Sequence, residues 1–242
     1  MSSPADHYLA AATGMLQRLC TQNAPLLKQL GAVIGESLAR GGVLHTFGSG
    51  HSEIISREII GRAGGLVCVS GIYDPTGGFS ENLVGYGTKL VERYDRAHGL
   101  LAGETIIVIS NSGKNSSPIE VALYAKHKGL RVVALTCLAM SKTAATVHPG
   151  GQNLHAVADY VLDNGGTPGD AITEVTPGVN AGPTSTFIGA TLLNLLMLEV
   201  IAWLKAGGHD LPILRSQNMP NAIEYNRELG KKYKGRLSRQ LA

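Results

Sequence analysis

Two short stretches of this chain concentrate the side chains that could do chemistry. One is Gly48–Ser49–Gly50–His51–Ser52. The other is Ser110–Asn111–Ser112–Gly113–Lys114–Asn115–Ser116. Glycine lets backbone N–H groups approach an anion closely, and a following helix adds the positive end of its dipole. Hydroxyls and amides add neutral donors and acceptors. This mixture suits a phosphate together with the hydroxyls of a sugar. Neither stretch is a nucleotide loop. No GxxxxGK followed by Ser or Thr occurs, and the GxGxxG pattern fails because Glu53 stands where its last glycine belongs. Either stretch alone could be no more than a capped helix start, so their places in the fold decide what they mean.

Those places are legible from the hydrophobic pattern. The run Val43–Phe47 reads as a strand leading into the first stretch, with a helix from Glu53 to about Arg62 after it. Leu66–Ser70 reads as a second strand. A polar loop over 71–80 and a helix over about 81–94 follow. Thr105–Ser110 is almost wholly apolar, as a central parallel strand should be, and it runs into the second stretch. A helix begins near Pro118 and continues to about Lys128. Arg131–Thr136 and Asp159–Asp163 supply strands four and five. Strands alternating with helices predict an α/β fold, a doubly wound, flavodoxin-like parallel sheet of five strands flanked by helices. With strand order 2-1-3-4-5, strands one and three are neighbours at the topological switch point, where ligands bind. Both stretches would then face one pocket.

The flanks are helical. Residues 5–40 carry Leu9, Met15, Leu16 and Leu19 at helical spacing, and Pro25 is expected to open a second helix that ends at Gly41–Gly42. The expected organisation is N-terminal helices over 1–40 packing on the core, a central domain over 41–206 and a C-terminal extension over 207–242. Residues 164–182, rich in Gly, Pro and Thr, read as a loop too long to be idle. Phe187–Leu204 is almost continuously apolar, about one bilayer-spanning length, yet contains Asn194 and Glu199. No other span exists, so a buried helix is the better reading.

Composition agrees with this reading and excludes other classes. Of 242 residues, 44% are hydrophobic and only 16% charged, which excludes intrinsic disorder. The net charge of +3 is too balanced for a nucleic-acid protein, and the basic run Lys231–Arg236 reads as a solvated tail. Cys20, Cys68 and Cys137 are odd in number and far apart, which suggests neither a disulfide framework nor a zinc ribbon. The N-terminus lacks an apolar signal segment, so a cytoplasmic protein that meets no membrane and no nucleic acid is expected.

The turn Gly48–Ser52, the turn Ser110–Gly113 with its helix, and the strand within Gly129–Thr136 resemble the sugar isomerase (SIS) domain family over about residues 30–205. The resemblance implies the SIS fold, a phosphorylated sugar as ligand, and a homo-oligomer, most simply a dimer through the apolar helix and the N-terminal helices. It implies that Ser110, Asn111, Ser112 and Asn115 hold the phosphate, with Ser116 as a possible substitute for Asn115, and that Ser49, Gly50, His51 and Ser52 hold the sugar. Phosphoheptose isomerases of the family bind metal through His six and Glu ten residues after the first-loop serine. Here those places hold Glu58 and Arg62, so no metal and no other cofactor is expected. N-acetylmuramic acid 6-phosphate etherases carry a glutamate where Arg62 stands. The stretches 45–65, 109–122, 163–171 and 182–199 look most like the branch that dehydrates N-acetylglucosamine 6-phosphate.

Isomerisation, ether cleavage and dehydration begin alike, with a base removing the proton α to the C1 carbonyl of the open-chain sugar. Glu81, at the end of the loop after strand two, is the leading base. With Ser80 as a cap it could instead be an ordinary first-turn carboxylate. His51 could assist ring opening or merely face solvent. Glu58 could face the pocket or pair with Arg62 at i+4. Glu174 could reach a pocket of its own or a neighbouring subunit, or lie on a surface loop. His45, inside strand one, reads as a satisfied core histidine. Three functions follow: a carbon–oxygen lyase acting on N-acetylglucosamine 6-phosphate, a metal-independent phosphosugar isomerase, or a phosphosugar sensor without turnover.

Overall fold

The computed structural model describes residues 3–239. Five parallel strands form the central sheet: β1 (Leu44–Gly48), β2 (Val69–Ile72), β3 (Thr105–Ile109), β4 (Arg131–Thr136) and β5 (Tyr160–Asp163). Their order is β2-β1-β3-β4-β5, as the switch-point argument requires. All four pairings are parallel, so every strand ends at the same edge. The strands are apolar on both faces, since helices cover both. Alternation along β3 splits the core. Ile107 and Ile109 join a cluster with α1 (Pro4–Ala39), α2 (His51–Glu58) and α7 (Ser185–Ala206). Ile106 and Val108 point the other way, against α3 (Tyr86–His98), α4 (Ser116–His127) and the single turn α6 (Leu154–Val157). The short α5 (Leu138–Thr143) follows β4.

The N-terminal region is one helix of 36 residues, not two, with Pro25 inside it. An interior proline forfeits one hydrogen bond and clashes with the preceding turn. Packing outweighs that cost. Leu19, Leu27, Leu30 and Ile34 are buried on the sheet and α7 on both sides of the proline. Buried Asn23 donates to the Asp163 carbonyl, tying the region beside Pro25 to the end of β5. Gly31 and Gly35, one turn apart, let α7 approach closely. A Cβ at Gly35 would stand 2.4 Å from the Trp203 ring, and one at Gly31 would stand 2.9 Å from Glu199.

Three further elements differ from the pattern reading. β2 begins three residues later than expected, because Leu66 bridges instead to Ile213 of the C-terminal segment. α3 begins at Tyr86; residues 81–85 are turns, so Ser80 does not cap it. Within 164–182 lies an antiparallel hairpin of β6 (Ala171–Thr176) and β7 (Val179–Pro183), packed against α1. Its strands lie mostly exposed, which is why no alternating apolar pattern announced them. Among the described residues α7 alone is long and apolar enough to cross a membrane by length and composition. One side of α7 packs on α1 and α2, while Leu198 and Phe187 stay exposed, so it is not buried all round.

The C-terminal segment contains α8 (Ala222–Lys231) and folds back onto the sheet. Its basic run is not simply solvated. Tyr233 is buried, and the Arg236 guanidinium meets the Glu104 carboxylate at 2.8 and 2.9 Å. Glu104 also accepts from the Val43 and Leu101 backbone N–H groups and from His45. A carboxylate can only accept, so His45 Nε2 carries the proton and Nδ1 accepts from Tyr94. His45 is thus a satisfied core histidine.

Candidate functional site

A cavity of about 730 Å³ opens where β1 and β3 end side by side. Its size fits a small phosphorylated sugar. Ser49, Gly50, His51 and Ser52 line one wall; Ser110, Asn111, Ser112 and Asn115 line the next. Phe79, Glu81, Met140, Asp170, Ser185 and Thr186 are among the residues that line the rest. A smaller cleft of about 450 Å³ lies under the C-terminal segment around Leu211, Tyr225 and Tyr233, away from the strand ends.

Glycine geometry shapes both walls. A Cβ at Gly48 would fall 2.3 Å from the Ser52 carbonyl oxygen, so only glycine permits the tight turn from β1 into α2. Gly113 has φ +64°, and a Cβ there would fall 2.3 Å from Ser141 Oγ. The Gly113 N–H donates to Ser110 Oγ at 3.2 Å, which folds the second loop over the end of β3.

Glu81 sits on a turn between β2 and α3, half-buried in the cavity wall. Its backbone carbonyl accepts from Ser117 N–H at 2.8 Å, in the first turn of α4. Its side chain accepts from Asn115 Nδ2 at 2.5 Å. Glu81 is therefore no helix-start carboxylate; it is docked onto the second serine loop from across the pocket. Burial lifts its carboxyl above the usual glutamate range; a hydrogen bond from Ser49 opposes this, the charge of Asp74 adds to it, and Lys114 subtracts. Asp74 lies buried behind this wall. It accepts from Tyr86 at 2.7 Å, Thr76 Oγ1 at 2.8 Å, Thr76 N–H at 2.9 Å, Gly78 N–H at 3.0 Å and Ser49 Oγ at 3.1 Å. Burial alone would raise Asp74, but these donors outweigh it and hold it below the usual aspartate range. Ser49 has one proton and two carboxylates within reach. The hydroxyl donates to Asp74 at 3.1 Å, and with the Asp74 carboxyl lowered and the Glu81 carboxyl raised, Glu81 is the more basic of the two.

The predicted residues do not all converge. His51 is exposed at the rim, on the first residue of α2. Ser116 Oγ is fully buried in the first turn of α4 and does not line the cavity. Glu58 pairs with Arg62 and accepts from Asn194 of α7, outside the cavity lining. Glu174 lies exposed on the hairpin and accepts from Gly178 N–H. The i+4 ion pair and the surface position are thus the arrangements seen for these two. Among the described residues no three His, Cys, Asp or Glu side chains are grouped to hold a metal ion.

Asp74 and Asp170 escaped the sequence reading. Asp170 has φ +58° and accepts from Ser185 N–H at 2.9 Å, Thr184 N–H at 3.2 Å and the Ser185 hydroxyl. It closes the hairpin onto the start of α7 and brings Ser185 and Thr186 to the cavity. Its partners lie 14 and 15 residues away, so no local spacing reveals it. Asp74 could have been suspected from Asp-Pro-Thr-Gly-Gly, a turn signal in which the aspartate caps its own loop.

The family model described as SIS domain matches residues 7–137. A UPF0309 protein of Geobacillus sp. (strain WCH70) is 35% identical over 240 residues, which is 96% of each chain. A phosphoheptose isomerase from Francisella tularensis shares the fold at TM-score 0.54 and 14% identity, covering 83% of this chain and 98% of that one. The Vibrio vulnificus NanR protein, complexed with ManNAc-6P, does so at TM-score 0.53 and 14% identity, covering 99% of this chain and 72% of that one. At such identities the two structures speak to the fold alone.

Proposed function

This chain belongs to the SIS domain family, with UPF0309 proteins as its relatives, and we propose that it is a cytoplasmic carbon–oxygen lyase that dehydrates a phosphorylated amino sugar, N-acetylglucosamine 6-phosphate. In this reading the phosphate lies on Ser110–Asn115 and the sugar along Ser49–Ser52. The observation that carries it is Glu81, a carboxylate of raised basicity, in the cavity where both loops end and hydrogen-bonded to Asn115.

The chemistry follows from that geometry. Glu81 takes the C2 proton of the open-chain sugar, and the C2–H electron pair becomes the C1–C2 double bond of an enolate. Donors around the pocket stabilise its oxygen. The enolate then collapses: C1=O re-forms, C2=C3 forms and the C3–O bond breaks. The departing hydroxyl leaves as water with the proton that Glu81 acquired. His51 at the rim serves ring opening. An N-acetylated C2 is poorly placed to become a ketone, which favours elimination over isomerisation for this substrate. Incubation with N-acetylglucosamine 6-phosphate should generate ultraviolet absorbance and an unsaturated product in proton NMR. A new ketose without absorbance would favour the isomerase reading. The likeness of fold to the NanR protein, whose structure holds ManNAc-6P, keeps a sensor as a second reading; binding of the phosphosugar without any product would favour it.

A further inference from the structure

A phosphate held on the second loop requires that loop to present donors rather than acceptors. Asn111 lines the cavity, and its amide can turn either face inward at little intrinsic cost. A phosphate is accommodated by the N–H face and repelled by the oxygen face.

A chain of hydrogen bonds behind the loop fixes the choice. It starts at Gly166 N–H, a buried backbone group that can only donate. Asn164 Oδ1 accepts from it at 3.0 Å. The amide of Asn164, itself buried, must then direct Nδ2 the other way, and it donates to Asn111 Oδ1 at 2.9 Å. With its oxygen engaged behind the loop, Asn111 turns Nδ2 toward Met140, a cavity residue whose sulfur is 3.9 Å away and a weak acceptor. The Asn111 backbone cannot swing to compensate, because its carbonyl accepts from both Cys137 N–H and Thr136 Oγ1. Asn164 is pinned in turn by its own N–H on the Thr136 carbonyl.

We propose that Asn164 is a positioning residue that sets the polarity of the phosphate subsite, by occupying the Asn111 acceptor so that Asn111 offers only N–H donors to the anion. This rests on the reading that the phosphate lies on Ser110–Asn115. It needs no contact between Asn164 and substrate.

Asn164→Asp tests it. Gly166 N–H keeps its acceptor, but the second carboxylate oxygen demands a donor and turns the Asn111 amide round. Dissociation constants for N-acetylglucosamine 6-phosphate and for N-acetylglucosamine are measured by calorimetry. The variants are Asn164→Asp, Asn111→Leu and the double. Asn164→Asp should weaken phosphosugar binding about ten- to hundredfold, the range set by one hydrogen bond to a charged group. With Asn111→Leu in place, the same substitution should cost about tenfold less, only the added charge remaining. An equal cost in both backgrounds overturns the inference while leaving the phosphate reading intact. Wild-type protein that binds the two sugars equally overturns both. Should the aspartate variant not fold, side-chain amide NMR of the wild type decides: inorganic phosphate should shift the Asn111 NH2 resonances, and unmoved resonances would contradict the inference.

Discussion

Glu81 and Asp74 are two carboxylates that share one serine hydroxyl and are driven apart in acidity by their surroundings. This separation makes Glu81 the group to test. Glu81→Gln should lower kcat about 10²- to 10⁴-fold, the usual range for a general base, with phosphosugar binding retained. The sign of the pH dependence follows from the raised carboxyl. As the proposed base, Glu81 would work ionised, so kcat/KM should rise with pH through a midpoint above 4.5, the ordinary glutamate value. Asp74→Asn removes a neighbouring negative charge and should move that midpoint down; a limb that stays put or moves up would remove Asp74 from the account. Ser112→Ala should weaken binding of the phosphosugar and leave the unphosphorylated sugar unaffected, measured by calorimetry. At this scale the sequence was informative where chemistry is local. The hydroxyl-rich turns at Ser49 and Ser110 declare themselves by type and spacing. Asp170 does not, because its role is made by a hairpin that brings Thr184 and Ser185 back to it.

Elements were legible where burial is two-sided and continuous. Strands β3 and β4 stand within one residue of their expected bounds, since unbroken apolar runs leave few alternatives. Pro25 misleads because proline chemistry predicts a helix start, while the tertiary gain of packing Leu19 through Ile34 against α7 and the sheet carries the helix through it. The Ser80–Glu81 pair misleads in the opposite way. It looks like a capped helix start, but turns over 81–85 dock Glu81 on α4 instead. The close approach of α1 and α7 yields a stability test. Gly35→Ala raises helix propensity by about 1 kcal/mol, yet its methyl would overlap the Trp203 ring at 2.4 Å. Overpacking of this kind costs about 1–3 kcal/mol. A net loss of stability should appear as a lower urea midpoint, and Trp203→Leu in the same chain should recover part of it.

The whole molecule is closed by its C-terminal segment. Arg236, Glu104 and His45 form a chain of charge and hydrogen bonds that joins residues more than a hundred positions apart. Burial raises the Glu104 carboxyl, but His45, the Leu101 N–H and Arg236 outweigh it and bring it down to about 2. Burial also keeps His45 below the usual histidine range, so it remains neutral. Both shifts have the same sign for stability. An unfolded chain takes up protons at His45 below about pH 6.5 and at Glu104 below about 4.5, which the folded chain refuses. Thermal stability should therefore decline from about pH 6.5 downward and continue to fall toward pH 2. Arg236→Met should lower the melting temperature at neutral pH by leaving a buried carboxylate short of a partner, at a cost of about 3 kcal/mol. None of this was legible in the basic run at 231–236, since only the folded topology brings Glu104 to it.

The most direct measurement is a crystal structure of the Glu81→Gln variant soaked with N-acetylglucosamine 6-phosphate. The phosphate should lie within hydrogen-bonding distance of Ser110, Ser112 and Asn111, with C2 of the sugar facing residue 81. Phosphate density at any other place, or none in this cavity, would contradict the account.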